Sequence, residues 1–162
     1  MAQFKVGNGF DVHPFAAGRK LVIGGVTIAH ELGLDGHSDA DVLLHAVCDA
    51  ILGALGKGDI GQQFPDSDER YRNADSRAFL RTVWLQAITA GYKLGNVDAT
   101  IVAQAPRLAP FLKQMVANIA ADLDCTPDLV NVKATTTERL GFTGRGEGIA
   151  ALATVLIARS GS

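Results

Sequence analysis

The chain has 162 residues, of which 48% are hydrophobic and 20% charged, the balance of an ordinary globular domain. Lysine and arginine number 15 and the acidic residues 17, and this near-neutral charge without a basic run argues against a nucleic-acid polymer as partner. The N-terminal residues have no signal-peptide pattern, and the longest apolar run, 149–158, is about half of the ~20 residues that a membrane span needs, so we expect a soluble cytoplasmic protein.

Strand and helix patterns alternate along the chain. Strands are predicted at 5–12, 20–23, 26–29, 97–103, 130–135 and 149–159. Gly24-Gly25 indicates an early β-hairpin, and Ser38 is the expected cap of a helix that runs to about Leu55. Further helices are predicted over 76–90 and 109–123, with a helical turn at 128–130. The fold class is therefore α/β (α+β), a single domain over 1–162 with a mixed sheet packed against about three helices.

Two segments together suggest a metal site. Asp11 and His13 stand one residue apart in GFDVHPF, so they share one face of the first strand. Asp41, His45 and Asp49 recur every fourth residue and share one face of the first helix. Asp11, His13 and His45 would supply the one oxygen and two nitrogen ligands of a catalytic zinc site, with Asp49 orienting His45. An ordinary polar strand face and a solvated helix face are the alternatives.

The segment VKATTTERLGFTGRGEG, residues 132–148, has the composition of a phosphate-binding loop. Three consecutive hydroxyl residues stand among Lys133, Arg139 and Arg145, and four glycines could present backbone N–H groups to an anion. The alternatives are a helix capping box formed by Thr135 and Glu138, and a flexible turn between two strands. Metal and phosphate together favour chemistry at a phosphorus centre.

Other signals add little. The carboxylates of GDIGQQFPDSD, residues 58–68, lie among turn formers and are uninformative alone. Cys48 and Cys125 lack metal-ligand spacing, and we interpret them as small buried hydrophobic residues in a reducing compartment. No G-x-S-x-G motif is present, so a serine nucleophile is unsupported.

Six segments resemble one family closely, the 2-C-methyl-D-erythritol 2,4-cyclodiphosphate synthases of the non-mevalonate isoprenoid pathway. They are GFDVHPF, GHSDADVLLHA, GDIGQQFPDSD, ADSR, GNVDATIVAQAPRLAP and VNVKATTTERLGFTGRGEGIA, in family order. The resemblance implies a homotrimer with active sites between subunits. It also implies a phosphorus–oxygen lyase that converts 4-diphosphocytidyl-2-C-methyl-D-erythritol 2-phosphate to the 2,4-cyclodiphosphate and releases CMP.

The resemblance also implies a role for each matching residue. Zinc is expected on Asp11, His13 and His45, and magnesium or manganese on Glu138 with the substrate phosphates. The implied catalytic residues are His37, Asp66, Thr136 and Glu138. The implied substrate contacts are His37, Ser38, Asp59, Ile60, Gly61, Phe64, Asp66, Ser67, Asp68, Ala103, Pro106, Arg107, Leu108, Ala109, Ala134, Thr135, Thr136, Phe142 and Arg145.

Within that set, His37 and Ser38 are expected to contact the methylerythritol phosphate, and 64–68 to close over the sugar with Asp66 on its hydroxyls. The cytidine pocket is implied at 103, 106–109 and 134–136. Arg107 departs from the lysine of many members, which puts the detail of phosphate contacts there in doubt. The residues implied to line a central trimer cavity, where some members hold isoprenoid diphosphates, are Phe10, Gly141, Phe142 and Arg145.

Two other functions stay open. A metal-dependent phosphohydrolase would use the same acidic and histidine residues with a metal-bound water as nucleophile. A non-catalytic trimer that binds a nucleotide or an isoprenoid diphosphate is the second alternative.

Overall fold

A five-stranded mixed sheet organises the computed structural model, which describes residues 3–161. The strands are β1 (Phe4–Ala16), β2 (Leu21–Ile23), β3 (Val26–Ile28), β4 (Gly33–Leu34), β5 (Tyr92–Val102), β6 (Val130–Thr135) and β7 (Gly148–Arg159). The sheet order is β4-β1-β7-β5-β6, in which only β5 and β6 are parallel, and β2 and β3 form a separate hairpin. The single-domain mixed sheet predicted from the sequence is confirmed, although residues 1, 2 and 162 of the expected domain lie outside the described range.

Helices cover one face of the sheet. They are α1 (Val42–Leu55), α2 (Ile60–Gln63), α3 (Ser76–Thr89), α4 (Leu112–Asp122) and α5 (Gly141–Gly144), with 3-10 turns at Glu69–Tyr71, Ala109–Phe111 and Pro127–Leu129. The sequence predicted the three long helices but missed α2, α5 and the short strand β4. Patterns of four residues or fewer are too short to show a helical period.

Helix α1 packs unusually close to β1. Two glycines of β1, Gly7 and Gly9, face the helix, and a Cβ atom on Gly9 would lie 1.9 Å from the carbonyl oxygen of Ala46. The same construction at Gly7 places a Cβ atom 1.9 Å from the carbonyl oxygen of Ala50. The helix backbone therefore rests on the strand backbone, and this close approach sets the position of every side chain on α1.

The opposite face of the sheet is uncovered by the described residues. Alternate residues of β1 point to it, and Phe4, Val6 and Phe10 are between 56% and 66% exposed. Leu152 on the central strand β7 is 46% exposed on the same side, because Phe10 and Leu152 are register partners. Several large apolar side chains exposed on one face of a sheet are unusual for a monomer.

Three local predictions about helix and strand ends need correction. Asp41 and not Ser38 caps α1, because its carboxylate accepts from the backbone N–H of Leu44 and Ala40 interrupts the helix with φ 56°. The 109–123 helix starts at Leu112, since the preceding residues form a 3-10 turn. Strand β5 begins at Tyr92, five residues before its predicted start, because a bulge beside Gly95 breaks the alternation.

The β-hairpin and the cysteines were predicted with more success. Gly24 and Gly25 both have positive φ, 59° and 71°, as a two-residue hairpin turn requires. Both cysteines are free thiols; Cys48 is buried as expected, whereas Cys125 is only partly buried. Within residues 3–161, none of the helices has the length and apolar character needed to cross a bilayer.

Candidate functional site

Strand β1 and helix α1 bring Asp11, His13 and His45 to one point. The Oδ2 atom of Asp11 lies 2.9 Å from Nε2 of His13 and 3.1 Å from Nδ1 of His45, and the two nitrogens are 3.1 Å apart. Asp11 and His13 alternate toward the helix side of β1, and His45 lies in the first turn of α1. The three side chains that the sequence spacing grouped are therefore in mutual contact.

The hydrogen bonds around both imidazoles fix which nitrogen carries a proton. Nδ1 of His13 is 2.7 Å from the backbone carbonyl of Asp35, which can only accept, so Nδ1 is the protonated nitrogen of the neutral ring. Nε2 of His45 faces the hydroxyl of Ser76 at 2.9 Å, and that hydroxyl donates to a carboxylate oxygen of Asp39. Nε2 of His45 is therefore the donor, and its lone pair is on Nδ1.

Three lone pairs consequently converge with no proton between the two nitrogens. Nε2 of His13, Nδ1 of His45 and the carboxylate of Asp11 form the ligand set that zinc prefers, one oxygen and two neutral imidazole nitrogens. A bound cation would remove the repulsion of the facing nitrogen lone pairs. The residues present thus fit a divalent metal ion, with room left for further ligands from the pocket.

The charges of the trio respond to one another strongly. Burial alone would raise the pKa of Asp11, but the hydrogen bonds that both imidazoles donate when they are protonated outweigh it and hold the pKa at about 2. Burial likewise opposes protonation of His13, yet the hydrogen bond that its protonated Nε2 donates to Asp11 leaves the pKa of His13 raised. Asp11 is therefore a carboxylate at neutral pH and is available as an anionic ligand.

Asp49 does not orient His45, and that prediction is wrong. Its carboxylate accepts the backbone N–H of Ile60 at 2.7 Å, because the loop after α1 folds back beside the helix. The hydroxyl oxygens of Ser38 and Ser76 lie beside the ring instead, 3.2 Å and 2.9 Å from Nε2 of His45. Ser76 was not among the predicted site residues, although it lies in the ADSR segment.

The trio opens into a cavity of about 190 Å³. Six of the residues that the resemblance implied for substrate binding line it: His37, Ser38, Ile60, Gly61, Phe64 and Asp66. Gly36, Tyr71 and Phe79, which the sequence analysis missed, also line it, and the ring of Phe64 stacks on Phe79 with centroids 4.4 Å apart. In the sequence, the positions of these aromatic residues do not differ from those of aromatic residues in an ordinary hydrophobic core.

Three further implied contacts do not line that cavity. Asp59 caps α2 by accepting from the backbone N–H of Gln62, and the carboxylate of Asp68 is paired with Arg70. Ser67 is likewise absent from the lining. The backbone carbonyl of Asp68 nevertheless lies 3.1 Å from Nε2 of His37, so the 64–68 segment touches the site through its backbone.

A second cavity, of about 280 Å³, lies where the parallel strands β5 and β6 end. All of the implied cytidine-pocket residues line it, together with Gln104: Ala103, Pro106, Arg107, Leu108, Ala109, Ala134, Thr135 and Thr136. Gln104 was missed; its side-chain oxygen accepts the backbone N–H of Arg139 and so connects the pocket to the glycine-rich loop. The carboxyl ends of parallel strands are a recurrent position for ligand sites.

The two cavities are separate within one chain. Asp11, Ala151, Ile101 and Ala134 are successive register partners across β1, β7, β5 and β6. Three strand spacings of about 4.8 Å put the backbones of Asp11 and Ala134 roughly 14 Å apart. The metal-type site and the second cavity therefore lie on different parts of the molecule.

The loop after β6 does not form the capping box that was one interpretation of Thr135 and Glu138. No helix starts beside Thr135, because Glu138 and Arg139 have positive φ, 53° and 66°. Lys133 pairs with Asp98 on the exposed sheet face and is thus held away from the loop. Arg145 pairs with Glu147 at 2.6 Å. Glu138, Phe142 and Arg145 line neither of the two cavities of this chain.

The fold and the site define an α+β domain with a carboxylate and two imidazoles arranged to hold a metal ion at a cavity with both polar and aromatic walls. Residues 4–158 match the model of the YgbB family, and the chain belongs to this family. It is 66% identical over 153 residues to "2-C-methyl-D-erythritol 2,4-cyclodiphosphate synthase" of Geobacter sulfurreducens, covering 94% of this chain and 98% of that protein.

Solved structures agree with this assignment. The bifunctional IspDF of Campylobacter jejuni superposes with a TM-score of 0.93 and 47% identity over 96% of this chain, which spans 42% of that longer protein. IspF of Plasmodium falciparum, described as a CDP complex, superposes with a TM-score of 0.87 and 32% identity over 99% of both chains.

Proposed function

We propose that this protein converts 4-diphosphocytidyl-2-C-methyl-D-erythritol 2-phosphate into 2-C-methyl-D-erythritol 2,4-cyclodiphosphate and CMP, in isoprenoid precursor biosynthesis. The observation that carries the proposal is the convergence of Asp11, His13 and His45 in a cavity also lined by His37 and Asp66. The relatives named in the preceding subsection support the same activity. Since the phosphorus–oxygen bond is broken without water, the enzyme class is a phosphorus–oxygen lyase.

The reaction needs charge neutralisation and positioning more than a general base. A phosphate monoester has a second pKa of about 6, so the attacking 2-phosphate is already largely dianionic at neutral pH. One of its oxygens forms a bond to the β-phosphorus, and the bond from that phosphorus to the CMP oxygen breaks with its electron pair. Holding the two phosphates in line contributes up to roughly 7–11 kcal/mol in favourable cases.

The residues of the first cavity divide this work. Asp11, His13 and His45 would hold a divalent cation, which we assign as zinc and which would supply Lewis acidity toward the diphosphate. His37 and Ser38 contact the methylerythritol phosphate, and Asp66 holds the sugar hydroxyls. Asp59, Ile60 and Gly61 present backbone groups, and the 64–68 segment closes over the sugar, which excludes competing water.

The second cavity is the proposed cytidine pocket. We expect its lining at 103–104, 106–109 and 134–136 to contact the base mostly through the backbone, and the CDP complex of a 32% identical neighbour supports a cytidine ligand. Thr136 contacts the phosphates at its edge. Glu138 would help to hold magnesium or manganese beside the substrate phosphates, since carboxylate and phosphate oxygens are the ligands that these ions prefer.

Complete sites would form between subunits of a homotrimer. The backbones of Asp11 at the first cavity and Ala134 at the second lie roughly 14 Å apart in one chain, and each cavity contains only part of the residues implied for the substrate. The exposed Phe4, Val6 and Phe10 of β1 offer an apolar surface for a second copy. In that assembly Phe10, Gly141, Phe142 and Arg145 line a central cavity for an isoprenoid diphosphate, and the compartment is the cytoplasm.

A single assay with metal analysis tests the proposal. Incubation with the diphosphocytidyl substrate, zinc and magnesium should release CMP and give the phosphorus NMR signals of a cyclic diphosphate. A linear phosphate product would favour the phosphohydrolase, and bound CMP without turnover would favour the binding protein. Stripping the protein with a chelator should abolish turnover, and zinc should restore it; persistent activity without metal would contradict the proposed role of the trio.

A further inference from the structure

A chain of hydrogen bonds runs from His45 into the protein behind the metal-type site. Nε2 of His45 donates to the hydroxyl of Ser76 at 2.9 Å, and that hydroxyl donates to Oδ1 of Asp39. The backbone N–H of Ser76 donates to the other oxygen, Oδ2, of the same carboxylate at 3.0 Å. Asp39 thus accepts two hydrogen bonds from Ser76. The Ser76 hydroxyl in turn contacts the imidazole of His45, whose other nitrogen faces the metal-type site.

Both residues behind His45 in this series of hydrogen bonds, Ser76 and Asp39, are held in place. Ser76 is fully buried and is the first residue of α3, whose cap is Asp75. Asp39 is held by its own backbone N–H, which donates to the carbonyl of Ala74 at 3.0 Å, and its carboxylate also accepts from the backbone N–H of Asp41. The first turn of α3 and the segment before α1 are therefore locked together directly behind His45.

We propose that Asp39 and Ser76 are positioning residues for the metal centre, acting on a bound divalent cation through His45. The inference rests on the proposed metal-binding role of the trio. In many metal sites a carboxylate accepts directly from the distal imidazole N–H, which fixes the tautomer and strengthens the opposite nitrogen as a ligand. Here a buried hydroxyl is interposed, and the carboxylate orients it so that its lone pair faces the imidazole.

Ser38 could not replace Ser76 in this role. Its hydroxyl oxygen lies farther from Nε2 of His45, at 3.2 Å, and it accepts the backbone N–H of Ala40. No carboxylate contact is found for the Ser38 hydroxyl among the described residues, so its proton can rotate toward the pocket. The Ser76 proton is committed to Asp39, which leaves Ser76 as the acceptor with a fixed direction.

The test is the affinity of the metal-free protein for zinc and cobalt, measured by competition with a chelator. Ser76→Ala should raise the dissociation constant roughly 10–100-fold, the usual effect of removing such a partner, and should change the visible absorption of the cobalt-loaded protein. Asp39→Asn, which keeps size and shape, should raise the dissociation constant by a smaller factor that is still above about fivefold. Thr82→Ala is the matched control, since its hydroxyl on the same helix only bonds back to the carbonyl of Ala78.

A purely structural role for Ser76 predicts a different result. The metal-free variants would then unfold at lower urea concentrations. Their cobalt spectra and their dissociation constants for the metals would stay equal to those of the parent and of Thr82→Ala. A change below about fivefold in both Ser76→Ala and Asp39→Asn, or an equal change in Thr82→Ala, overturns the inference. If Ser76→Ala fails to fold, Asp39→Asn alone decides by the same threshold; a parent protein that binds neither metal overturns the proposed metal centre itself.

Discussion

Replacing Gly9 by alanine should push helix α1 away from strand β1 and dismantle the metal site. The added Cβ atom would lie 1.9 Å from the carbonyl oxygen of Ala46, whereas Cβ atoms essentially never approach other heavy atoms closer than 3.0 Å. Helix and strand must therefore separate by at least about 1.1 Å, the difference between these two distances. His45 moves with the helix, while Asp11 and His13 stay with the strand.

That displacement is large on the scale of metal coordination. Zinc–nitrogen bonds are about 2.0–2.1 Å long, and usable sites keep their distances within about 0.2 Å. A shift of about 1.1 Å thus exceeds the tolerance several times, and we expect Gly9→Ala to lose stoichiometric zinc. Because the clash is between two backbones, the free energy of unfolding should fall by about 3 kcal/mol, the upper part of the range for overpacking.

The assay combines metal analysis of the purified protein with urea unfolding, and Gly53→Ala is the control. Gly53 lies on α1 at the same helix–strand contact, and a Cβ atom there would be an ordinary 3.6 Å from the nearest atom of β1. Alanine there should stabilise the helix by about 0.5–1 kcal/mol and leave zinc content unchanged. If Gly9→Ala kept both full zinc occupancy and the stability of the parent, the close backbone approach would not determine the site geometry.

Three other variants test separate parts of the site. His45→Ala should lose zinc and nearly all turnover while its circular dichroism spectrum stays native. The control His30→Ala removes a histidine that packs on Phe15 away from the trio, and it should keep zinc and turnover. Zinc retained by His45→Ala would contradict the ligand assignment. Glu138→Gly should raise the free energy of unfolding by about 0.5–1 kcal/mol by relieving a left-handed backbone, yet impair turnover, while Glu138→Gln impairs turnover without added stability. Val6→Glu on the exposed face of β1 should give monomers in sedimentation that bind zinc but release no CMP; an active monomer would argue against shared sites.

Much of the metal site could be predicted because it depends on local periods. Strand alternation puts Asp11 and His13 on one face, and the helical period puts His45 on the face of α1 that meets them. What the sequence could not supply was the meeting of the two elements. That contact depends on Gly7 and Gly9, whose backbone approach to α1 has no signature beyond two glycines in a strand.

The failed predictions share a physical cause. Ser38 and Asp49 each have an ordinary local role in the sequence pattern, as helix cap and as partner of the His45 ring. In the structure each side chain contacts another group instead: Ser38 lies beside His45, and Asp49 accepts from the backbone N–H of Ile60. Tertiary contacts override local rules where polar groups are buried or paired.

The separation of the two cavities has a consequence for how copies are counted. In the proposed arrangement every complete centre joins the first cavity of one molecule to the second cavity of its neighbour. A closed ring then has as many complete centres as molecules. An open linear assembly always leaves an unpaired first cavity at one end and an unpaired second cavity at the other. Ring closure itself, and not merely association, would maximise the catalytic yield of each molecule synthesised.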